Sequence, residues 1–140
     1  MRIVLDTNIV ISALLWQGAP HQLLGGIRTH ADWQICSSLA LLDELADVLA
    51  RPFAARRLAQ IGLQARDLLS DYVECTEWGV PHAVPRVIAA DADDDQVLAA
   101  ALAARADLIV SGDKQHLLPL GSYQGIAIVD AAEALRRLKL

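Results

Sequence analysis

A chain of 140 residues with 54% hydrophobic and 4% aromatic residues can bury a core of Leu, Val, Ile and Ala without help from disulfides or a structural metal. That composition predicts helices packed on a sheet, an α/β layer structure, in a single domain spanning residues 1–140. The net charge of −5 removes the basic excess that usually marks a nucleic-acid binder, unless cations held by the acids offset it and leave Arg28, Arg51, Arg56, Arg57, Arg66 and Lys114 to meet phosphates.

In chain order, Arg2 to Leu5 is a short β-branched strand that stops at the polar triplet Asp6-Thr7-Asn8, after which apolar residues return at helical spacing. Gly18 and Pro20 punctuate the chain, and Pro20 suits the first turn of a second helix reaching about His30. Trp33 to Cys36 reads as the second strand. Ser37 and Ser38 are N-caps for a helix from Leu39 to about Ala50, which stops before Pro52. Leu41, Leu45 and Val48 mark its buried stripe; Asp43 and Asp47 fall opposite, and Glu44 sits on the margin. Glu44 is therefore the acid of the three that solvation explains least.

Phe53 to about Gln60 and Gln64 to Tyr72 read as two helices split at Gly62, with a third strand from Glu74 to Trp78. Gly79 to Arg86 is a connector. The patch Asp91, Asp93, Asp94, Asp95 opens a helix to about Ala106, with Asp93 placed to cap it. Leu108 to Ser111 and Ile126 to Val129 are further strands, and Asp130 caps a last helix ending at Leu138. Alternating strands and helices imply a mostly parallel sheet covered on both faces. No apolar run reaches the ~20 residues that span a bilayer and no signal-peptide pattern opens the chain, so no membrane and a cytoplasmic location are expected. Cys36 and Cys75 lack CxxC or Cys/His spacing and read as core thiols.

In open parallel sheets, ligands bind beyond the carboxyl ends of the strands. Asp6 and Asp113 stand at two such ends. Glu44, in the helix after the second strand, and the Asp94-Asp95 pair, in the helix before the Asp113 strand, can converge on them. Carboxylates held together repel unless cations balance them. Mg²⁺ or Mn²⁺, one ion or two, suits oxygen ligands, and such ions promote phosphodiester hydrolysis by water.

The segments IVLDTNIVISALL, LLDELADVL, DADDDQVLAAALAARAD and LIVSGDKQHLL, in that order from the first residues to about Leu118, resemble the PIN-domain nucleases, especially the VapC-like toxins of bacterial toxin–antitoxin pairs. The resemblance implies a three-layer α/β/α domain that hydrolyses RNA, single-stranded or structured. It implies Asp6, Glu44, Asp95 and Asp113 as catalytic metal ligands, with Asn8 and Ser111 as supporting hydrogen-bonding groups. It further implies a homodimer and an antitoxin peptide laid across the groove. The Asp94/Asp95 helix is Ala-rich all round, so periodicity does not choose between the two; the Leu98-Ala99-Ala100 run that follows favours Asp95 by likeness to the family, leaving Asp94 as a neighbour. Gln115 stands where many relatives carry another acid.

Each residue also has a plainer reading. Asp6 can cap the helix that follows, Asp113 can be a turn residue, Asp91, Asp93 and Asp94 can form a solvated helix start, and Glu44 can be a surface acid. Their joint placement is what favours a site. His21, His30, His82 and His116 share no ligand spacing and receive no role. Trp16, Trp33 and Trp78 read as core or interface packing, since no basic residues are interleaved around them. Two alternatives compete: a haloacid-dehalogenase-like phosphatase, suggested by Asp6-Thr7-Asn8 after a strand but lacking the second aspartate, and a partner-binding module whose acidic site has decayed.

Overall fold

Alternation along the first strand sets the layering. In β1 (Arg2–Leu5), Ile3 and Leu5 enter one buried cluster while Val4 enters another, because successive side chains point to opposite faces. The computed structural model describes residues 1–88 and 92–140; the acid Asp91 lies outside the described residues.

After β1 come α1 (Thr7–Leu15), α2 (Ala19–Arg28), β2 (Gln34–Ser38), α3 (Leu39–Leu49), α4 (Pro52–Ile61), α5 (Ala65–Cys75) and β3 (Thr76–Gly79). The second half holds α6 (Ala92–Ala104), β4 (Leu108–Val110), α7 (Leu117–Leu120), β5 (Ser122–Tyr123), β6 (Ile126–Val129) and α8 (Ala131–Leu138). The strands make one sheet in the order β3-β2-β1-β4-β6-β5. All pairings among the first five positions are parallel, and β5 joins antiparallel to β6. The α/β layering expected from composition and the mostly parallel sheet expected from alternating strands and helices are therefore present.

One face carries Leu15, Leu23, Leu45, Tyr72 and Ala134 from α1, α2, α3, α5 and α8. The other carries Val97, Leu98, Ala100 and Ala101 from α6, with Leu117 from α7. Fully burying one such Leu contributes about 1.5–3 kcal/mol, and the small Ala side chains let α6 lie close on β1 and β2. The sheet has its switch point at β1, whose neighbours β2 and β4 are reached in opposite directions. A crevice opens there beyond the strand ends. The Asp6 N–H donates to the Val110 carbonyl at 2.9 Å, fixing the ends of β1 and β4 side by side.

Several boundaries differ from the sequence expectation. Both serines lie in β2, and the cap of α3 is its last residue, Ser38, which accepts from the Leu41 N–H at 3.3 Å. Helix α5 runs through Cys75, anchored by the buried Tyr72, and the third strand starts two residues later than expected. Asp93 lies inside the first turn of α6 rather than before it, where its charge still suits the helix dipole. Gly62 takes a left-handed conformation at the end of α4, the usual way to stop one helix and start another. Cys36 is fully buried and Cys75 half-buried, and burial pushes both thiols up.

Trp16 and Trp78 are exposed, so of the two roles expected for them, core or interface packing, the core one does not hold. The fold brings Phe53 into a stacked pair with Trp16, 6.5 Å between ring centroids, and sets the Arg57 guanidinium 5.6 Å from the Trp16 ring. The basic partner absent from the local sequence comes from a different helix. Among the described residues, no helix is long and apolar enough to cross a membrane.

Candidate metal centre at the strand ends

Asp6 follows β1 at the N-cap position of α1, yet its carboxylate makes no capping hydrogen bond to that helix. Its Oδ2 instead accepts from the Ser111 hydroxyl at 2.8 Å. The Ser111 Oγ in turn accepts from the Asp113 N–H at 3.0 Å. Ser111 is fully buried and ties the ends of two adjacent strands into one rigid turn. Ser111→Ala removes the acceptor of the Asp113 N–H and one donor to Asp6, a loss of about 2–3 kcal/mol. Urea unfolding of the variant beside the parent measures it.

Glu44, on the margin of the α3 stripe, is half-buried and its Oε2 accepts from the Thr7 hydroxyl at 3.0 Å. Asp43 and Asp47 are exposed, as the helical spacing predicts. Asp113 serves a turn with one oxygen and the crevice with the other. Oδ1 accepts from the N–H groups of Gln115 (3.0 Å) and His116 (3.2 Å), while Oδ2 lies 3.5 Å from His116 Nδ1. Burial raises the Asp113 pKa, but a hydrogen bond with Asp94 and those from the Gln115, His116 and Leu117 N–H groups outweigh it and hold the carboxyl below the usual range.

The two neighbouring acids of α6 part ways. Asp94 is buried, and its Oδ2 lies 3.2 Å from His116 Nδ1. Asp95 is also buried, but its Oδ1 accepts from the N–H groups of Val87 (3.1 Å) and Ile88 (2.8 Å). It borders a separate hollow lined by Val84, Pro85 and Arg86. A cleft of about 300 Å³ at the switch point is lined by Asp6, Asn8, Glu44, Asp93, Asp94, Gly112, Asp113, Gln115 and His116. The fold thus brings together Asp6, Glu44, Asp113, Asn8 and Asp94, with Ser111 beneath them; Asp95 is the predicted residue that does not line this cleft.

His116 is the residue of the cleft that sequence reasoning missed. Lone histidines carry no spacing signal, but one was available: His116 stands three residues after Asp113, at the end of a turn that the Asp113 side chain itself closes. One ligand atom each from Asp94, Asp113 and His116 lie within 4.8 Å of one another. Hard carboxylate oxygens gathered at that spacing, with the other oxygen of Asp113 already committed to backbone N–H groups, fit a divalent cation.

The cationic side chains are distributed away from the cleft floor. Arg28 bonds the Asp71 carbonyl and Arg57 the Leu15 carbonyl. Lys114, exposed beside Asp113, stands nearest in sequence to the acids.

No curated protein sequence matches the chain. A solved structure, VapBC2 from Rickettsia felis bound to a DNA fragment from their promoter, has a chain of similar fold. The match has a TM-score of 0.61 and 12% sequence identity, covering 93% of this chain and 98% of that one. The sequence profile of the PIN domain matches residues 2–115, from β1 through the turn after Asp113. The chain belongs to the PIN-domain family.

Proposed function

We propose that this protein is a metal-dependent endoribonuclease, with Asp6, Glu44, Asp94 and Asp113 holding one or two Mg²⁺ or Mn²⁺ ions at the β1/β4 switch point. The observation that carries the reading is the conduct of Asp6: a buried carboxylate at a helix N-cap position that turns away from capping and toward a cleft lined by other acids. A structural cap would use its oxygens on α1. A divalent cation bound there would supply Lewis-acid chemistry for phosphodiester hydrolysis by water, without a covalent enzyme intermediate.

The protein's own residues orient the ligands. Ser111 fixes the rotamer of Asp6, Thr7 steadies Glu44, and the Gln115 and His116 N–H groups hold one oxygen of Asp113 so that the other faces the cleft. Asn8, exposed at the cleft wall, can donate to a phosphate oxygen or a water. Asp94 takes the place that family likeness gave to Asp95, because Asp94 lines the cleft while the Val87 and Ile88 N–H groups hold Oδ1 of Asp95 beside a separate hollow.

RNA as substrate rests on the likeness to VapC toxins, and so does the role of toxin in a toxin–antitoxin pair; the fold likeness to a chain of VapBC2 supports both. Exposed Trp78, Val80, Val84 and Leu63 support a homodimer or an antitoxin-covered face. Light scattering that gives a monomer at micromolar concentration removes the homodimer.

The test is cleavage of end-labelled, mixed-sequence RNA, beside a DNA of the same sequence, with Mn²⁺ or Mg²⁺ and with EDTA. Cutting of RNA alone, abolished by EDTA and restored by added metal, is expected. Cutting of DNA in preference, or cutting that survives EDTA, contradicts the proposal.

A further inference from the structure

We infer that His116 supplies a nitrogen ligand to the cation of this cleft and gives the site a preference for Mn²⁺ over Mg²⁺. The inference rests on the metal-dependent reading above and adds to it the nature of the ligand set. Its geometric basis is the placement of Nδ1, 3.2 Å from Asp94 Oδ2 and 3.5 Å from Asp113 Oδ2. Ligands at about 2.1 Å from an octahedral ion stand about 3 Å apart along each edge. Both distances from Nδ1 are therefore close to the spacing of neighbouring corners around one ion, and one ligand atom from each of the three residues lies within 4.8 Å of the others.

Local structure holds the ring in place. The His116 N–H is bound to Asp113 Oδ1 at 3.2 Å, which ties the backbone carrying the imidazole to the carboxylate it faces. The half-buried ring keeps one edge toward the acids.

The chemical consequence follows from ligand type. Carboxylates alone suit Mg²⁺ and Mn²⁺ alike, whereas an imidazole nitrogen adds affinity for a transition metal and little for Mg²⁺. Gln115 beside it brings no charge, so the histidine, rather than a further acid, is what this turn adds to the cleft.

The remaining histidines leave the signal unambiguous. His21 Nδ1 lies 2.9 Å from the Ala13 carbonyl, His30 stacks on Trp33, and His82 borders a separate hollow beside Trp78.

The experiment is pulsed electron paramagnetic resonance of the Mn²⁺-loaded protein, with calorimetric titration of Mn²⁺ and Mg²⁺, on the parent, His116→Leu and His116→Gln. Glutamine keeps a polar side chain at the turn, so a folded variant is available if leucine disturbs packing. The expected result is a nitrogen coupling to Mn²⁺ in the parent that both variants lose, with Mn²⁺ affinity falling about tenfold or more and Mg²⁺ affinity changing by less than about threefold. Mn²⁺ binding without nitrogen coupling in the parent, or coupling that persists in both variants, overturns the inference and leaves the nuclease reading standing. A parent that binds neither ion overturns both.

Discussion

Asp6→Asn is expected to lower metal-dependent RNA cleavage at least about a hundredfold, since it removes a charged ligand from the centre of the site, while leaving the fold intact. The substitution is close to isosteric. The Asn oxygen still accepts from the Ser111 hydroxyl, so the β1/β4 junction keeps its hydrogen bond. Removing one negative charge from a cleft shared with Glu44, Asp94 and Asp113 also relieves repulsion. In metal-free buffer the variant is therefore expected to melt at or above the temperature of the parent. Adding Mn²⁺ should stabilise the parent more than the variant, because a cation that binds only the folded state raises stability by mass action. Cleavage rates and thermal melts, with and without Mn²⁺, check both signs. Full activity in the variant removes Asp6 from the site, and a large drop in its metal-free melting temperature makes Asp6 a structural acid.

The second large effect separates two adjacent residues. Asp95→Ala is expected to cost about 2–3 kcal/mol of stability, because the Val87 and Ile88 N–H groups lose a charged acceptor, with Ile88 buried. Asp94→Ala is expected to abolish cleavage and weaken Mn²⁺ binding at least about tenfold with a much smaller loss of stability. Urea unfolding and Mn²⁺ titration of the two variants give opposite rankings if the assignment is right. The reverse pattern, with Asp95→Ala losing metal and Asp94→Ala losing stability, restores the assignment that family likeness suggests.

Much of the architecture was legible in the sequence because its signals are local. Strand runs ending at polar residues, Gly62 between two helical stretches and Asp130 before the last helix each act through a short-range cause. The grouping of Asp6, Glu44 and Asp113 was legible for a topological reason: acids placed just past parallel strands, or on the helix beside them, meet at the carboxyl edge of the sheet. Nothing in periodicity could choose between Asp94 and Asp95. Helix α6 is buried along Val97, Leu98, Ala99, Ala100 and Ala101 without a break, and the two carboxylates differ in placement because the N–H groups of Val87 and Ile88 donate to Asp95, which no spacing in α6 announces.

His116 and the last two short elements were missed for different reasons. Helix α7 is a single turn containing Pro119, too short for a periodic signal. Strand β5 has two residues and pairs with β6 across Gln124-Gly125, both at positive φ. That is the backbone of a tight hairpin, and the Gln-Gly pair offered the only local hint of it. The surroundings of Trp16 were not legible because its partners, Phe53 and Arg57, arrive from α4 and are far away in sequence.

The most direct test of the account is the position of a bound ion. In crystals grown or soaked with Mn²⁺, the anomalous difference map is expected to show a peak in the cleft at the β1/β4 switch point, within coordination distance of Asp113 and Asp94 and facing Asp6. A peak only at Asp95 in the hollow beside Val84 and Pro85, or full Mn²⁺ occupancy elsewhere on the surface with none in the cleft, would contradict it.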